Sequence, residues 1–166
     1  MCYSTVQYQD KAKIEQWYEA TFEPEANYEP SIFTGFAFPK CPVITVQNVH
    51  QIRMYHWGLL PSWAKDKSFG KNTLNAKIET LQEKPSFRDS IQNRCIILVS
   101  GFYDWKWLDV KGKKKEKYEI TLGDLPLFSI AGLYNGWIDK GSGERLDTYT
   151  MITTEANDVM AEIHNS

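Results

Sequence analysis

Cys95-Ile96-Ile97-Leu98-Val99, followed through Ser100 by Gly101-Phe102-Tyr103-Asp104-Trp105-Lys106-Trp107, is the stretch on which the fold class turns. The first part is a continuous apolar run of the length and β-branched character of a buried strand. In the second, Tyr103, Trp105 and Trp107 alternate with Asp104 and Lys106, which is the period of a strand. Outward from this pair, Val43–Val49 and Gln51–Trp57 also read as strands, the latter alternating Ile52, Met54 and His56 against Arg53, Tyr55 and Trp57. Lys117–Leu122, Leu127–Tyr134 and Leu146–Thr153 are further candidates, separated by turns containing Gly or Pro. Lys111–Lys117 reads as the solvated tip of a hairpin.

Helices are few. Ile14, Trp17, Tyr18 and Phe22 recur at helical spacing, so Asp10–Phe22 is predicted as a surface helix with Asp10 as N-cap and Pro24 as stop. A short helix is expected around Asn75–Gln82, ended by Pro85, and a last one from Glu155 with Val159 and Ile163 on one face. Residues 24–42 carry Pro24, Pro30, Pro39 and Pro42 and suit an ordered irregular loop. Many short strands without repeated strand-helix-strand units predict an α+β fold: a mainly antiparallel β core of barrel-like sheets with a few flanking helices. At 166 residues the chain is expected to be a single domain over 1–166. It stops at Ser166 directly after a predicted helix, which raises the expectation of a C-terminal truncation.

Composition narrows the function classes. Hydrophobic residues are 42% and charged residues 24%, which places the chain with globular proteins. A net charge of -2 makes the whole molecule no electrostatic trap for polyanions, so any nucleic-acid site must be a local patch. Six Trp, nine Tyr and eight Phe supply flat rings for a core or for stacking planar ligands. No apolar run is long enough to span a bilayer and no secretory pattern opens the chain, so a cytoplasmic location without a membrane partner is expected. Cys2, Cys41 and Cys95 form no CxxC pair, and His50, His56 and His164 have no ligand spacing with them, so no disulfide, metal or cofactor is expected.

Five groups could carry chemistry or binding. Removal of Met1 would leave Cys2 with an α-amine and a thiol on adjacent carbons, a pair that condenses with an aldehyde to a thiazolidine. An α-amine titrates at about 7.7 to 8.0, so a useful fraction is nucleophilic near neutral pH. Asn75-Ala76-Lys77-Ile78-Glu79-Thr80 offers an amide, a cation and a carboxylate close together, although a solvated helix start has the same composition. Asp104, the one carboxylate in an aromatic strand, is a candidate proton shuttle, with pairing to a lysine as the alternative. His164 stands at the end of the last predicted helix, where the carbonyl dipoles favour its protonated form. Trp57-Gly58-Leu59-Leu60-Pro61-Ser62-Trp63 brackets a glycine with two indoles; for either indole alone a core position is an equal reading.

Together, Met1-Cys2, the Trp57-to-Trp63 stretch, Asn75-Ala76-Lys77-x-Glu79-Thr80, Gly101-to-Trp105 and Ile163-His164 resemble the ordered signature of the SRAP family, the SOS-response-associated peptidases or abasic-site-processing proteins. The resemblance runs from residue 2 to residue 164. It implies a sensor of abasic sites in single-stranded DNA that crosslinks through its N-terminal cysteine, with a peptidase-like step that exposes Cys2. By motif, Cys2 would be the nucleophile, Asn75 would orient the sugar and amine, Asp104 would move protons during ring formation, and His164 would act as acid or base on sugar opening. The implied partner is single-stranded DNA containing abasic sites, held by a monomer. Trp57, Gly58, Trp63, Lys77 and Arg88 are the expected DNA-binding residues, since cations on phosphates and wedges against bases hold a single strand. The chain departs from the family pattern in Asp104 for the usual Glu, in Lys77 for the usual Arg, and in its end at Ser166. A cysteine peptidase acting on its own N-terminus or on peptides, and a non-covalent single-strand binder, are the alternatives.

Overall fold

The computed structural model describes residues 1–109, 111, 113–157 and 160. In chain order the elements are β1 (Ser4–Gln7), α1 (Lys11–Tyr18), β2 (Thr21–Phe22), β3 (Ser31–Thr34), β4 (Lys40–Thr45) and β5 (Asn48–Trp57). They continue as β6 (Asn75–Lys77), β7 (Arg94–Val99), β8 (Gly101–Trp107), β9 (Lys115–Ile120), β10 (Phe128–Ile138) and β11 (Arg145–Thr153). One sheet runs β3-β1-β8-β9 and the other β2-β5-β4-β7-β10-β11-β6. In the second, β11 also pairs with β5 through Thr148 with His56 and Tyr149 with Trp57, so β5-β4-β7-β10-β11 closes into a five-stranded barrel. The expected α+β fold with barrel-like, mainly antiparallel sheets and few helices is the observed one. Among the described residues no helix is long and apolar enough to cross a membrane.

The apolar runs are explained by two cores on opposite faces of the same strands. Cys41 and Val43 of β4, Tyr55 and Trp57 of β5, and Cys95, Ile97 and Val99 of β7 point into the barrel. Their neighbours Ile44, Ile52 and Leu98 face the other way, against Ile14 of α1, Phe22 and Tyr28. Strands buried on both faces need no polar alternation. The alternating sets read in Gln51–Trp57 thus both meet a core, Ile52 on one side and Tyr55 and Trp57 on the other.

Several boundaries differ from the sequence expectation; Val43–Val49, for one, is divided by the turn at Val46-Gln47 between β4 and β5. The helix begins as read, with Asp10 accepting from the Lys13 N–H at 2.9 Å, but ends at Tyr18. Glu19 there takes φ 52, its own N–H capping Glu15, and this turn sends Phe22 into β2 beside Ile52. The proline-rich residues 24–42 contain β3 and the start of β4, because β3 finds an antiparallel partner in β1. Asn75–Gln82 is not a helix: Asn75–Lys77 is a strand parallel to β11, and only Ile78–Thr80 makes a 3-10 turn. Glu155–Asn157 is not helical, and Val159 and Ile163 lie outside the described residues.

Candidate active site

The chain enters the fold through β1, which lies between β3 and β8 with Ser4 opposite Thr34 and Tyr103. This pairing carries the three residues before it to the end of the barrel. Cys2 is 8% exposed and belongs to the buried cluster that includes Trp57, Leu74, Tyr149 and Met151. Three hydrogen bonds fix this entry. The Asn75 Nδ2 donates to the Cys2 carbonyl at 2.8 Å, the Cys2 thiol donates to the Ser4 carbonyl at 3.2 Å, and the Gly35 N–H donates to the Tyr3 carbonyl at 2.9 Å. Asn75 reaches this position because β6 pairs with β11, placing Asn75 opposite Met151.

Cys2 and Asp104 line one cleft of about 300 Å³, together with Met1, Phe102, Ile130 and Met151. Asp104 sits on β8 with 4% exposure, its carboxylate accepting the Trp105 N–H at 2.8 Å. Burial pushes the Cys2 thiol up to about 11, the Ser4 carbonyl contact works against the rise, and the nearby Asp104 carboxylate adds to it. At neutral pH the thiol is therefore protonated, and attack by sulfur requires a base to take its proton. Asn75 Oδ1 is buried and accepts no hydrogen bond among the described residues, which leaves an acceptor free within reach of the N-terminal residue's surroundings. One side of the cleft is the segment Thr153–Asn157 leaving β11. Glu79 ties that segment down, its carboxylate accepting from Thr154 Oγ1 at 3.2 Å and from the Glu155 N–H at 3.3 Å.

Of the four predicted catalytic residues, Cys2, Asn75 and Asp104 come together, and His164 lies outside the described residues. The predicted DNA-binding residues divide. Trp63 is 49% exposed against the edge of Phe69 at 5.0 Å, and Lys77 and Arg88 are exposed. Trp57 is fully buried, so its assignment to a DNA groove is corrected. Its ring stacks on Tyr149 inside the barrel, and its indole N–H donates at 2.9 Å to the carbonyl of Leu74, the residue before Asn75. Trp57 thus positions Asn75 from below. Gly58 is corrected with it: it is buried at φ +125, and a Cβ there would meet the Gly70 carbonyl oxygen at 2.7 Å. The close approach its glycine permits is to another backbone turn and not to a ligand. Phe102, Ile130 and Met151 were not among the predicted site residues, because apolar strand residues carry no chemical mark. Phe102 alone had a signal, lying two residues before Asp104 and so on the same face of β8.

The geometry defines a β-barrel protein with a thiol, a carboxylate and an amide gathered about its own N-terminus. The chain matches the family model "SOS response associated peptidase (SRAP)" over residues 1–166, and it belongs to that family. It is 41% identical over 156 residues to the abasic site processing protein YoqW of Bacillus subtilis, covering 92% of this chain and 67% of that protein. It is 38% identical over 116 residues to the abasic site processing protein YMR114C of Saccharomyces cerevisiae, covering 68% of this chain and 30% of that one. A crystal structure of a protein from Bacteroides thetaiotaomicron superposes with a TM-score of 0.88 at 32% identity, over 99% of this chain and 73% of that one. The chain thus spans about two thirds of the length of its bacterial relative and under a third of the yeast one.

Proposed function

We propose that this protein processes abasic sites in single-stranded DNA by forming a thiazolidine crosslink through Cys2 once Met1 has been removed. The observation that carries this reading is the hydrogen bond from Asn75 Nδ2 to the Cys2 carbonyl, made at a cleft that Cys2 shares with Asp104. Ring-opened abasic sugar presents an aldehyde. The Cys2 amine adds to its carbonyl and water leaves as the imine forms; Sγ then closes on the imine carbon while its proton moves to nitrogen. Asp104 is suited to carry that proton, since the buried thiol does not ionise by itself at neutral pH. Asn75 holds the reacting residue in register and offers Oδ1 to the amine or to a sugar hydroxyl. Trp63, Lys77 and Arg88 form the DNA-facing set, and His164 serves the sugar-opening step.

The family's peptidase step fits the same cleft, because Met1 itself lines it beside Cys2 and Asp104. Self-removal of Met1 would deliver the free aminothiol that the crosslink needs. The test is incubation of Met1-free protein, verified by intact mass, with a single-stranded oligonucleotide carrying one abasic site. A denaturant-stable shifted band is expected; the same band from Cys2→Ala would sink the mechanism. Intact mass of Asn75→Ala and Asp104→Ala proteins, made where no aminopeptidase trims Met1, reads the self-processing step separately.

A further inference from the structure

The cleft beside Cys2 is walled in a way that an abasic sugar does not call for. A sugar phosphate offers hydroxyls and charge, yet the side chains of Phe102, Ile130 and Met151 are apolar and line the same space as Cys2 and Asp104. Met1 also lines it, while keeping 55% of its surface exposed. Covalent connectivity then says what else could occupy the space. In the unprocessed chain the Cys2 nitrogen is bonded to the carbonyl carbon of Met1. In a thiazolidine the same nitrogen is bonded to the former aldehyde carbon. The two carbons take equivalent places on one atom, and whatever the aldehyde carries starts where the Cα of Met1 was. Hexanal retraces Met1 from its carbonyl carbon through Cα, Cβ, Cγ and sulfur to the terminal methyl, atom for atom.

We propose that the Met1-free protein also captures unbranched aliphatic aldehydes, the alkyl tail starting where Met1 was attached and running into the cleft that Phe102, Ile130 and Met151 line. This activity rests on the reading of Cys2 as a free aminothiol but is separate from DNA binding. The reaction balances without an oxidant or reductant. The amine nitrogen adds to the aldehyde carbon, the carbonyl oxygen leaves as water, and the thiol sulfur adds to the resulting imine carbon as its proton passes to nitrogen. One C–N and one C–S bond form, and the adduct gains the aldehyde's mass less one water.

Any N-terminal cysteine forms such rings, so the claim lies in the selectivity. Each methylene taken out of water is worth roughly fourfold in an equilibrium constant. With about half of the tail covered, as for Met1, hexanal should be favoured over acetaldehyde by about tenfold more than it is by cysteine methyl ester. The experiment offers both aldehydes in competition to the Met1-free chain and to cysteine methyl ester, and reads adducts by intact mass. Abasic-site crosslinking is run on the same preparation. A hexanal preference about tenfold above the small-molecule control, absent from Cys2→Ala and reduced in Ile130→Asn, supports the proposal. A preference equal to that of cysteine methyl ester overturns it and, with crosslinking intact, leaves the abasic-site reading standing. Adduct formation with neither aldehyde, together with no crosslink, overturns both. Should Ile130→Asn fail to fold, Ile152→Thr tests the same wall from β11, and the wild-type ratio decides regardless.

Discussion

The barrel and the open sheet treat their strands in opposite ways. In the barrel β4, β5 and β7 bury both faces, and β11 returns to pair with β5, which leaves no free edge between them. In the open sheet β8 buries one face only: Asp104 is 4% exposed while its neighbours Trp105 and Trp107 are 46% and 43% exposed. Lys117 stands over the Tyr103 ring at 3.8 Å, Lys115 over Trp107 at 5.1 Å, and Glu119 opposite Tyr103 accepts from the Tyr8 hydroxyl, so that outer face is wet and charged. The candidate reactive groups belong to neither region alone. Cys2 and Asp104 come with the open sheet, Asn75 comes from the strand flanking the barrel, and the hydrogen bond between Asn75 and Cys2 crosses the seam. A rigid closed core thus supplies position, and a half-open sheet supplies access.

The sharpest way to break this contrast is to remove the barrel's central indole. Trp57→Ala takes away a fully buried ring, its stacking on Tyr149 and its bond to Leu74, and should cost about 3–5 kcal/mol in denaturant-measured unfolding. A cost below about 1 kcal/mol would mean that Trp57 is not the core residue described. Gly58→Ala comes next. A side chain at φ +125 is strained, and the added carbon would lie 2.7 Å from a backbone oxygen, so a loss of about 1–3 kcal/mol is expected from the same measurement.

Titration of the thiols separates the two regions more finely. Burial raises Cys41 and Cys95 in the barrel to about 12 and Cys2 at the seam to about 11, from an unfolded value of 9.0. A thiol that ionises later in the folded state stabilises fully below pH 9. Above it the unfolded chain releases its proton first, so each thiol withdraws up to about 1.4 kcal/mol per pH unit until its folded value is reached. Unfolding free energy should therefore be level in these groups up to pH 9 and fall between pH 9 and 12. Cys41→Ala should flatten that fall by one thiol's share. Iodoacetamide at pH 8.5 should label Cys2, which lines the cleft, ahead of Cys41, which is 1% exposed, and equal rates for these two would contradict the burial difference.

What the sequence made legible follows from where short-range physics was decisive. The Asp10 cap needs only local geometry, and the Cys95-to-Val99 run needs only two apolar faces; both read correctly. Asn75–Lys77 did not, because its strand conformation comes from a parallel partner in β11, more than seventy residues away, and no local signal encodes that pairing. The same distance explains Trp57: an indole beside a glycine suits a groove or a core equally, and only the closure of β5 on β11 sends it inward. For the candidate site, Cys2 and Asp104 were marked by their side-chain chemistry and Asn75 by the ordered motifs of the family resemblance. The apolar wall of the cleft was not, since Ile130 and Met151 look like any other strand residues until the cleft is folded around them.

Asn75→Ala is the smallest change in stability and the most direct test of the seam. It removes one hydrogen bond of 2.8 Å and also an acceptor that has no partner among the described residues, so the net cost should be about 0.5–1.5 kcal/mol. Crosslinking should fall much further. The Cys2 carbonyl loses its hydrogen bond from Asn75, and a misplacement on the order of 1 Å at a reacting centre can cost about a hundredfold in rate. Asn75→Asp separates position from hydrogen-bond donation: it keeps the size, places an acceptor where Nδ2 donated, and faces the Cys2 carbonyl with like polarity. It should therefore be no faster than the alanine variant in single-turnover crosslinking, with its melting temperature compared alongside. If Asn75→Ala keeps wild-type crosslinking at a stability lowered by only this amount, the amide merely packs against the N-terminus and the seam is not where the chemistry is set.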